Sequence, residues 1–226
     1  MPLTTSLIRR SSSPHSARID PYWGYEDVGI FFILMTFTAA VFRFAVRLRL
    51  LPTLQLANPK PAIQCVIVLF LLLALYLVLK LRYRRAVVEP LGWVLPTLRY
   101  GAAAVLLGPI FAVSVMLSIR SLRPVSPTPR IDFLVLALLV GPVLEESLLR
   151  GCILPVLVRT FGSALAVSAT AFLFALLHGP ASLAHWIWFA ATGIAYGWLR
   201  VASHTTTASF CMHASYNLTL FLLGVA

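Results

Sequence analysis

Apolar residues fill this chain in long runs, and polar residues fall mostly between them. From residue 28 onward the runs are too long and too uniform for the alternation of strands or for one apolar stripe on a soluble helix. They predict helices near 28–46, 61–79 and 100–119, then 131–158, 163–182, 183–199 and 207–226. Basic loops with Pro52, Pro61, Pro90 and Pro96 separate the first three, and the later connections are short. A hydrocarbon core takes about 20 helical residues to cross, so the pattern implies an all-α polytopic transmembrane bundle of about seven spans, six to eight at the limits. Residues 1–27 break the pattern. They are polar, contain Ser11, Ser12, Ser13 and Pro14, and lack the apolar run of a cleavable signal peptide. They read as a flexible tail closing on Tyr22 and Trp23, side chains suited to a membrane interface. Residues 28–226 read as one integral membrane domain, divided into plain apolar helices over 28–130 and chemically richer ones over 131–226.

Composition agrees with the pattern. Of 226 residues, 60% are hydrophobic and 11% charged, with mean hydropathy +0.91. Soluble domains are about half apolar and a quarter charged. A soluble enzyme, a disordered protein and a disulfide-stapled secreted domain are thereby excluded. The net charge of +11, from 18 basic against 7 acidic residues, would suggest nucleic acid in a soluble chain. Here the bases cluster at the ends of apolar runs: Arg43, Arg47 and Arg49; Lys80, Arg82, Arg84 and Arg85; Arg120, Arg123 and Arg130. That placement marks membrane edges, so the partner of these charges is the lipid bilayer and no nucleic acid is expected. Cys65, Cys152 and Cys211 lie in apolar stretches with no Cys-x-x-Cys spacing, and read as small buried hydrophobes.

Every intramembrane polar group worth notice lies between residues 132 and 217. The centre is Leu139-Val-Gly-Pro-Val-Leu-Glu145-Glu146-Ser-Leu-Leu-Arg150-Gly. A carboxylate in a helix centre costs about 2.5–3.5 kcal/mol on insertion scales, so two beside an arginine need a reason. Glu146 and Arg150 stand at i,i+4, on one face, and can pair. Glu145 points about 100° away without that partner, free to act as a base. For Glu146 and Arg150 alone, a polar cluster that fixes helix packing is a sufficient account; for Glu145 it is a poorer one.

Two further pairs stand at i,i+4: Phe174 with His178, and His213 with Asn217. The midpoint between Glu145 and His178 falls between Phe161 and Gly162, a natural hairpin turn. Antiparallel helices meeting there bring the two residues to equal depth, roughly 24 Å from the turn. The interval from His178 to His213 is short for a descent and a return, which asks for a shortened or strongly tilted helix; Gly193 and Gly197 would permit close packing in it. Together these residues offer a carboxylate, an imidazole and a His/Asn pair of hydrogen-bond donors, the inventory for attack of activated water on an amide. Ser147 has no base at helical spacing, and Cys211 and His213 diverge on a helix, so a serine or cysteine nucleophile is not indicated.

The ordered triple Glu145-Glu146-x-x-x-Arg150, Phe174-x-x-x-His178 and His213-x-x-x-Asn217 resembles the three motifs of the CAAX-protease and bacteriocin-processing family, which includes the type II CAAX prenyl endopeptidases. Gly193, Gly197 and Ser209 fall in the usual places between the second and third motifs. The resemblance covers 131–226 and leaves 28–130 as accessory helices. It implies a glutamate-dependent intramembrane endopeptidase in which Glu145 and His178 activate water, His213 and Asn217 form the oxyanion hole, and Glu146 and Arg150 support them. It implies a protein or peptide substrate, lipid-modified or membrane-anchored, and, from the compact length, a bacterial cytoplasmic membrane. No cofactor is expected: there is no His-Glu-x-x-His, although a zinc-dependent version of the same protease stays open as the second reading. A non-catalytic bacteriocin-immunity or scaffold protein and a proton-coupled transporter are rivals from other classes. The four intact site residues argue against the first, and the lack of an internal repeat against the second. His185 and His204 match no motif and read as helix-end residues, while Trp186, Trp188 and Trp198 read as an aromatic belt.

Overall fold

A computed structural model describes residues 21–47, 61–118 and 131–224. Among the described residues every regular element is helical. The rods are α1 (Tyr25–Arg47), α2 (Pro61–Tyr83), α3 (Leu98–Ser118), α4 (131–161), α5 (163–177), α6 (Leu183–Ser203) and α7 (Thr206–Leu222). They fall where the apolar runs predict them, with ends moved by a few residues. Local chemistry sets those ends. Asp27 accepts the Gly24 N–H at 2.9 Å at the start of α1. Pro61 opens α2, where a missing N–H costs nothing, and Lys80 and Arg82 close it at the negative end of its dipole. Ser182 and Thr205 cap α6 and α7 through their hydroxyls. α5 stops at Leu177, short of the expected 182, because Gly179 turns left-handed (φ 55°) ahead of Pro180.

The break between α4 and α5 is Gly162, with φ 77° and ψ 168°. An unbroken helix would hold Glu145 and His178 about 50 Å apart at 1.5 Å per residue. Their side chains instead approach to 3.8 Å, so the chain reverses at Gly162, at the midpoint read from the sequence. Two stretches of α4 are wound as π-helix, Leu136–Val140 and Ser147–Ile153, on either side of the paired glutamates. Such segments free carbonyls and rotate the residues beyond them, and they are frequent at functional sites.

Small residues bring the site-bearing helices together. A Cβ on Gly193 would lie 2.9 Å from Ala171 Cα, and one on Gly197 would lie 3.0 Å from Val167 Cγ1, so α6 rests directly on α5. Likewise, α3 meets α7 at Gly108, against Met212 O and Tyr216 N. Of the two ways to fit the interval from His178 to His213, a shortened α6 is not the one taken, since that helix has 21 residues. The α6–α7 hairpin instead sets depth through Tyr196 and His213, equally far from the turn at Ser203–Thr206, whose rings stack at 4.9 Å.

Among the described residues three segments are long and apolar enough to cross a membrane: Ile63–Tyr83, Leu98–Ser118 and Ile131–Leu177, the last holding both α4 and α5. The chain is thus a helical membrane protein, but seven spans are not established by length and composition. α7 has 17 residues with hydroxyls and the His/Asn pair, and α1 begins with Glu26 and Asp27. Residues 1–20 of the expected tail lie outside the described residues. Trp23 is buried within the protein: it is 1% exposed, and its indole N–H donates to Cys152 O at 2.9 Å. A buried indole needs an acceptor, and the π-wound stretch of α4 supplies one.

Candidate active site

Glu145 and Glu146 leave α4 in different directions, as helical spacing requires, and their surroundings diverge accordingly. Glu146 is wholly buried, and its Oε1 accepts from Arg150 Nη1 at 3.2 Å and faces His213 Nδ1 at 3.0 Å. Arg150, equally buried, donates through Nη2 to Gly193 O at 3.0 Å. Its guanidinium lies 4.9 Å from the Phe174 ring and 5.2 Å from the Tyr196 ring. A desolvated cation over two aromatic faces gains on the order of 2 kcal/mol or more per good contact. These contacts tie α4 to α5, α6 and α7 at one level.

Glu145 opens instead onto a cavity of about 960 Å³. Its Oε2 has no hydrogen-bond partner and stands 3.8 Å from His178 Nε2 and 3.9 Å from His213 Nε2. Those separations are too long for direct hydrogen bonds, and a small bridging molecule suits them. The other nitrogen of each ring is fixed. His178 Nδ1 lies 2.8 Å from Phe174 O, so it carries the hydrogen, and the His178 ring stacks on Phe189 at 4.5 Å. His213 is 4% exposed, held by Glu146 and by the Tyr196 face. Asn217 donates one amide hydrogen to Ala137 O at 2.8 Å, a carbonyl of the first π-wound stretch. The second hydrogen of that amide is available, and Asn217 also lines the cavity.

All six residues singled out in the sequence therefore gather around one place. Glu145, His178, His213 and Asn217 line the cavity, while Glu146 and Arg150 lie behind it. Among the described residues no group of three or more His, Cys, Asp or Glu side chains is arranged to hold a metal ion. One sequence expectation needs correction: Trp188, read as a belt residue, lines the cavity. His185 lies in the first turn of α6, the helix-end position expected, and lines the cavity as well. Both lie in the first two turns of α6, which follow closely on the His178–Gly179 break. His204 does lie at a helix end, left-handed with φ 58°, and Trp186 stacks on Phe172 outside the lining.

Several participants were missed. Tyr196 shares a helix face with Thr192 and Arg200, so a face-by-face reading of α6 would have raised it. Trp93 had no such signal: its indole donates to Ser147 Oγ at 3.0 Å from a loop far away in sequence. That loop is itself pinned, with Leu91 O and Gly92 O accepting from Thr206 Oγ1 (2.5 Å) and Thr206 N (2.7 Å).

With this geometry in hand, comparison with known families is informative. Residues 127–219 match the type II CAAX prenyl endopeptidase Rce1-like family. The likeness read from the three motifs is to that same family. The matched segment begins just before α4 and ends within α7, so it holds every residue of the cluster and less than half of the 226-residue chain. No curated protein and no solved structure matches the chain. The Rce1-like segment marks a peptidase-type domain, and a peptidase acts on a protein or peptide. Helices α1, α2 and α3 lie wholly outside it.

Proposed function

We propose that this chain is a glutamate-dependent intramembrane endopeptidase that cleaves a membrane-associated protein or peptide by direct attack of water. The observation that carries the reading is the unpartnered Glu145 Oε2, facing both histidine Nε2 atoms across gaps of 3.8 and 3.9 Å at a cavity of about 960 Å³. A water in the gap gives up a proton to Glu145 as its oxygen bonds to the scissile carbonyl carbon, with His178 Nε2 orienting it. The carbonyl oxygen becomes an oxyanion, stabilised by the free Asn217 N–H and by His213. Collapse breaks the C–N bond, and the proton on Glu145 passes to the leaving amine. The products are a carboxylic acid and an amine, and no acyl-enzyme forms. Side chains alone supply base, acid and donors, so the reaction needs no cofactor. Glu146 and Arg150 hold the arrangement from behind.

In this reading all seven rods span the bilayer, 28–130 forming accessory helices and 131–226 the catalytic ones. The apolar flank of the cavity, with Ile67 and Val68 of α2 and Phe133 and Leu134 of α4, favours a substrate that arrives from the membrane, anchored in it or lipid-modified. The test is cleavage of candidate membrane peptides by purified protein, with Glu145→Ala, His178→Ala and a chelator in parallel. Cleavage that both substitutions abolish and the chelator spares is expected. Activity abolished by the chelator and restored by zinc would make the zinc-dependent version the correct one. No cleavage of any peptide, with partner binding intact, would favour the immunity or scaffold reading.

A further inference from the structure

With Glu145 ionised, as its role as base requires, the hydrogen count of the site does not close with both histidines neutral. His178 gives its Nδ1 hydrogen to Phe174 O, which leaves a lone pair on Nε2. His213 gives its Nδ1 hydrogen to Glu146 Oε1, which also accepts from Arg150. Its Nε2 would then also be a lone pair, as is Glu145 Oε2, the third atom at the gap. Three acceptors would face a water that has two hydrogens, and nothing would donate to that water. An unmatched acceptor in a buried site is costly.

Charge leads to the same point. Glu145 and Glu146 bring two negative charges and Arg150 one positive, leaving the cluster one short of neutrality inside an apolar bundle. One further proton closes both counts. His178 faces one carboxylate and a neutral carbonyl. His213 stands between two carboxylates, Glu146 at 3.0 Å and Glu145 at 3.9 Å, and is far more deeply buried. The remaining ionisable groups around it are the two tyrosines Tyr196 on α6 and Tyr216 on its own helix. α3, also packed on α7, carries its ionisable side chains, Arg99 and Tyr100, in its first turn, more than two turns from the contact at Gly108.

We propose that His213 rests as an imidazolium clamped between Glu146 and Glu145, and that Glu146 is the positioning residue that holds it so. The idea rests on the protease reading for its catalytic meaning, and it supplies what that reading lacks. A neutral His213 turned toward Glu146 has no hydrogen to offer an oxyanion; an imidazolium offers Nε2–H. The water then accepts from His213 and donates to Glu145 and His178, which leaves one lone pair free for the attack. Glu146, placed as mere support by its i,i+4 pairing with Arg150, acquires a role through His213.

The experiment is nitrogen NMR of the full chain in lipid nanodiscs with labelled histidine, His213 being assigned by the signal missing in His213→Gln. At neutral pH the wild-type His213 is expected to show the doubly protonated signature, and His178 the Nδ1–H neutral one. In Glu146→Gln the His213 signal should turn neutral while kcat falls about 10²–10³-fold, as for a lost oxyanion donor, and KM stays nearly unchanged. Glu146→Asp should restore part of both. Because Glu146→Gln leaves Arg150 without its anion, Glu146→Gln/Arg150→Gln serves as the charge-balanced second variant with the same expected spectrum. A singly protonated His213 in the wild type overturns the proposal whatever the variants do. So does displacement of both histidine signals by equimolar zinc with zinc-dependent cleavage. If Glu145→Gln cleaves normally, the protease reading fails while a doubly protonated His213 would still stand.

Discussion

Two acid–arginine–tyrosine clusters occur in this molecule, and they have opposite characters. In the first half, Asp27 of α1 is 2% exposed; it takes the Tyr83 hydroxyl at 2.7 Å and the Gly24 N–H at 2.9 Å, with Arg82 Nε at 3.1 Å. This is a clasp that closes α1 on the end of α2. In the second half, Glu146, Arg150 and Tyr196 form a similar buried set, but a second carboxylate beside it opens onto the cavity with its Oε2 unpartnered. The residue types are alike, so buried charge alone does not distinguish a site from a clasp. What distinguishes them is a carboxylate oxygen left unpartnered beside a space a substrate can enter, with a buried ion pair behind it.

The comparison can be broken most forcefully at Arg150. Arg150→Met leaves Glu146 and its neighbours with an uncompensated buried charge, and a loss of about 3–5 kcal/mol is expected. Thermal unfolding in detergent should show it as a large fall in Tm; an unchanged Tm would mean that the second cluster is not held as described. Next comes Asn217→Ala, which removes a proposed oxyanion donor and should lower kcat by about 10²-fold or more. Its effect on KM should be small, and a change confined to KM would move Asn217 from chemistry to substrate binding. Gly108→Ala tests the tie between the halves. A Cβ there would strike Ser215 and Met212 O, so a destabilisation of about 1–3 kcal/mol is expected. Leu69→Ala, on the exposed face of α2, should change stability by less than about 0.5 kcal/mol and leave cleavage intact.

The sequence foretold this division unevenly, and the reasons are physical. Apolar runs announced the helices because a membrane helix is set by length and hydrophobicity. The reversal at Gly162 was legible because equal depth for Glu145 and His178 requires a turn midway. Tyr196 beside His213 was hidden, because stacking across a hairpin depends on where the turn falls, and Ser203–Thr206 carries no strong turn signal. The π-wound stretches were invisible, since a shift from i→i+4 to i→i+5 bonding leaves no compositional trace. The burial of Trp23 was hidden for a different reason. Its type suits an interface, and only the fold reveals a buried acceptor at Cys152 O. Trp93 and Ser147 meet from distant segments, a contact no local pattern encodes.

The central claim is that Glu145 is the base that activates water. Its most direct test is the single-turnover cleavage rate of Glu145→Gln against wild type, on a membrane peptide the wild type cuts, with both proteins shown to be equally folded. Gln keeps the shape and removes the charge, and the account predicts a loss of about 10³-fold or more, at the upper range for a general base. A Glu145→Gln rate within a few-fold of wild type would contradict it.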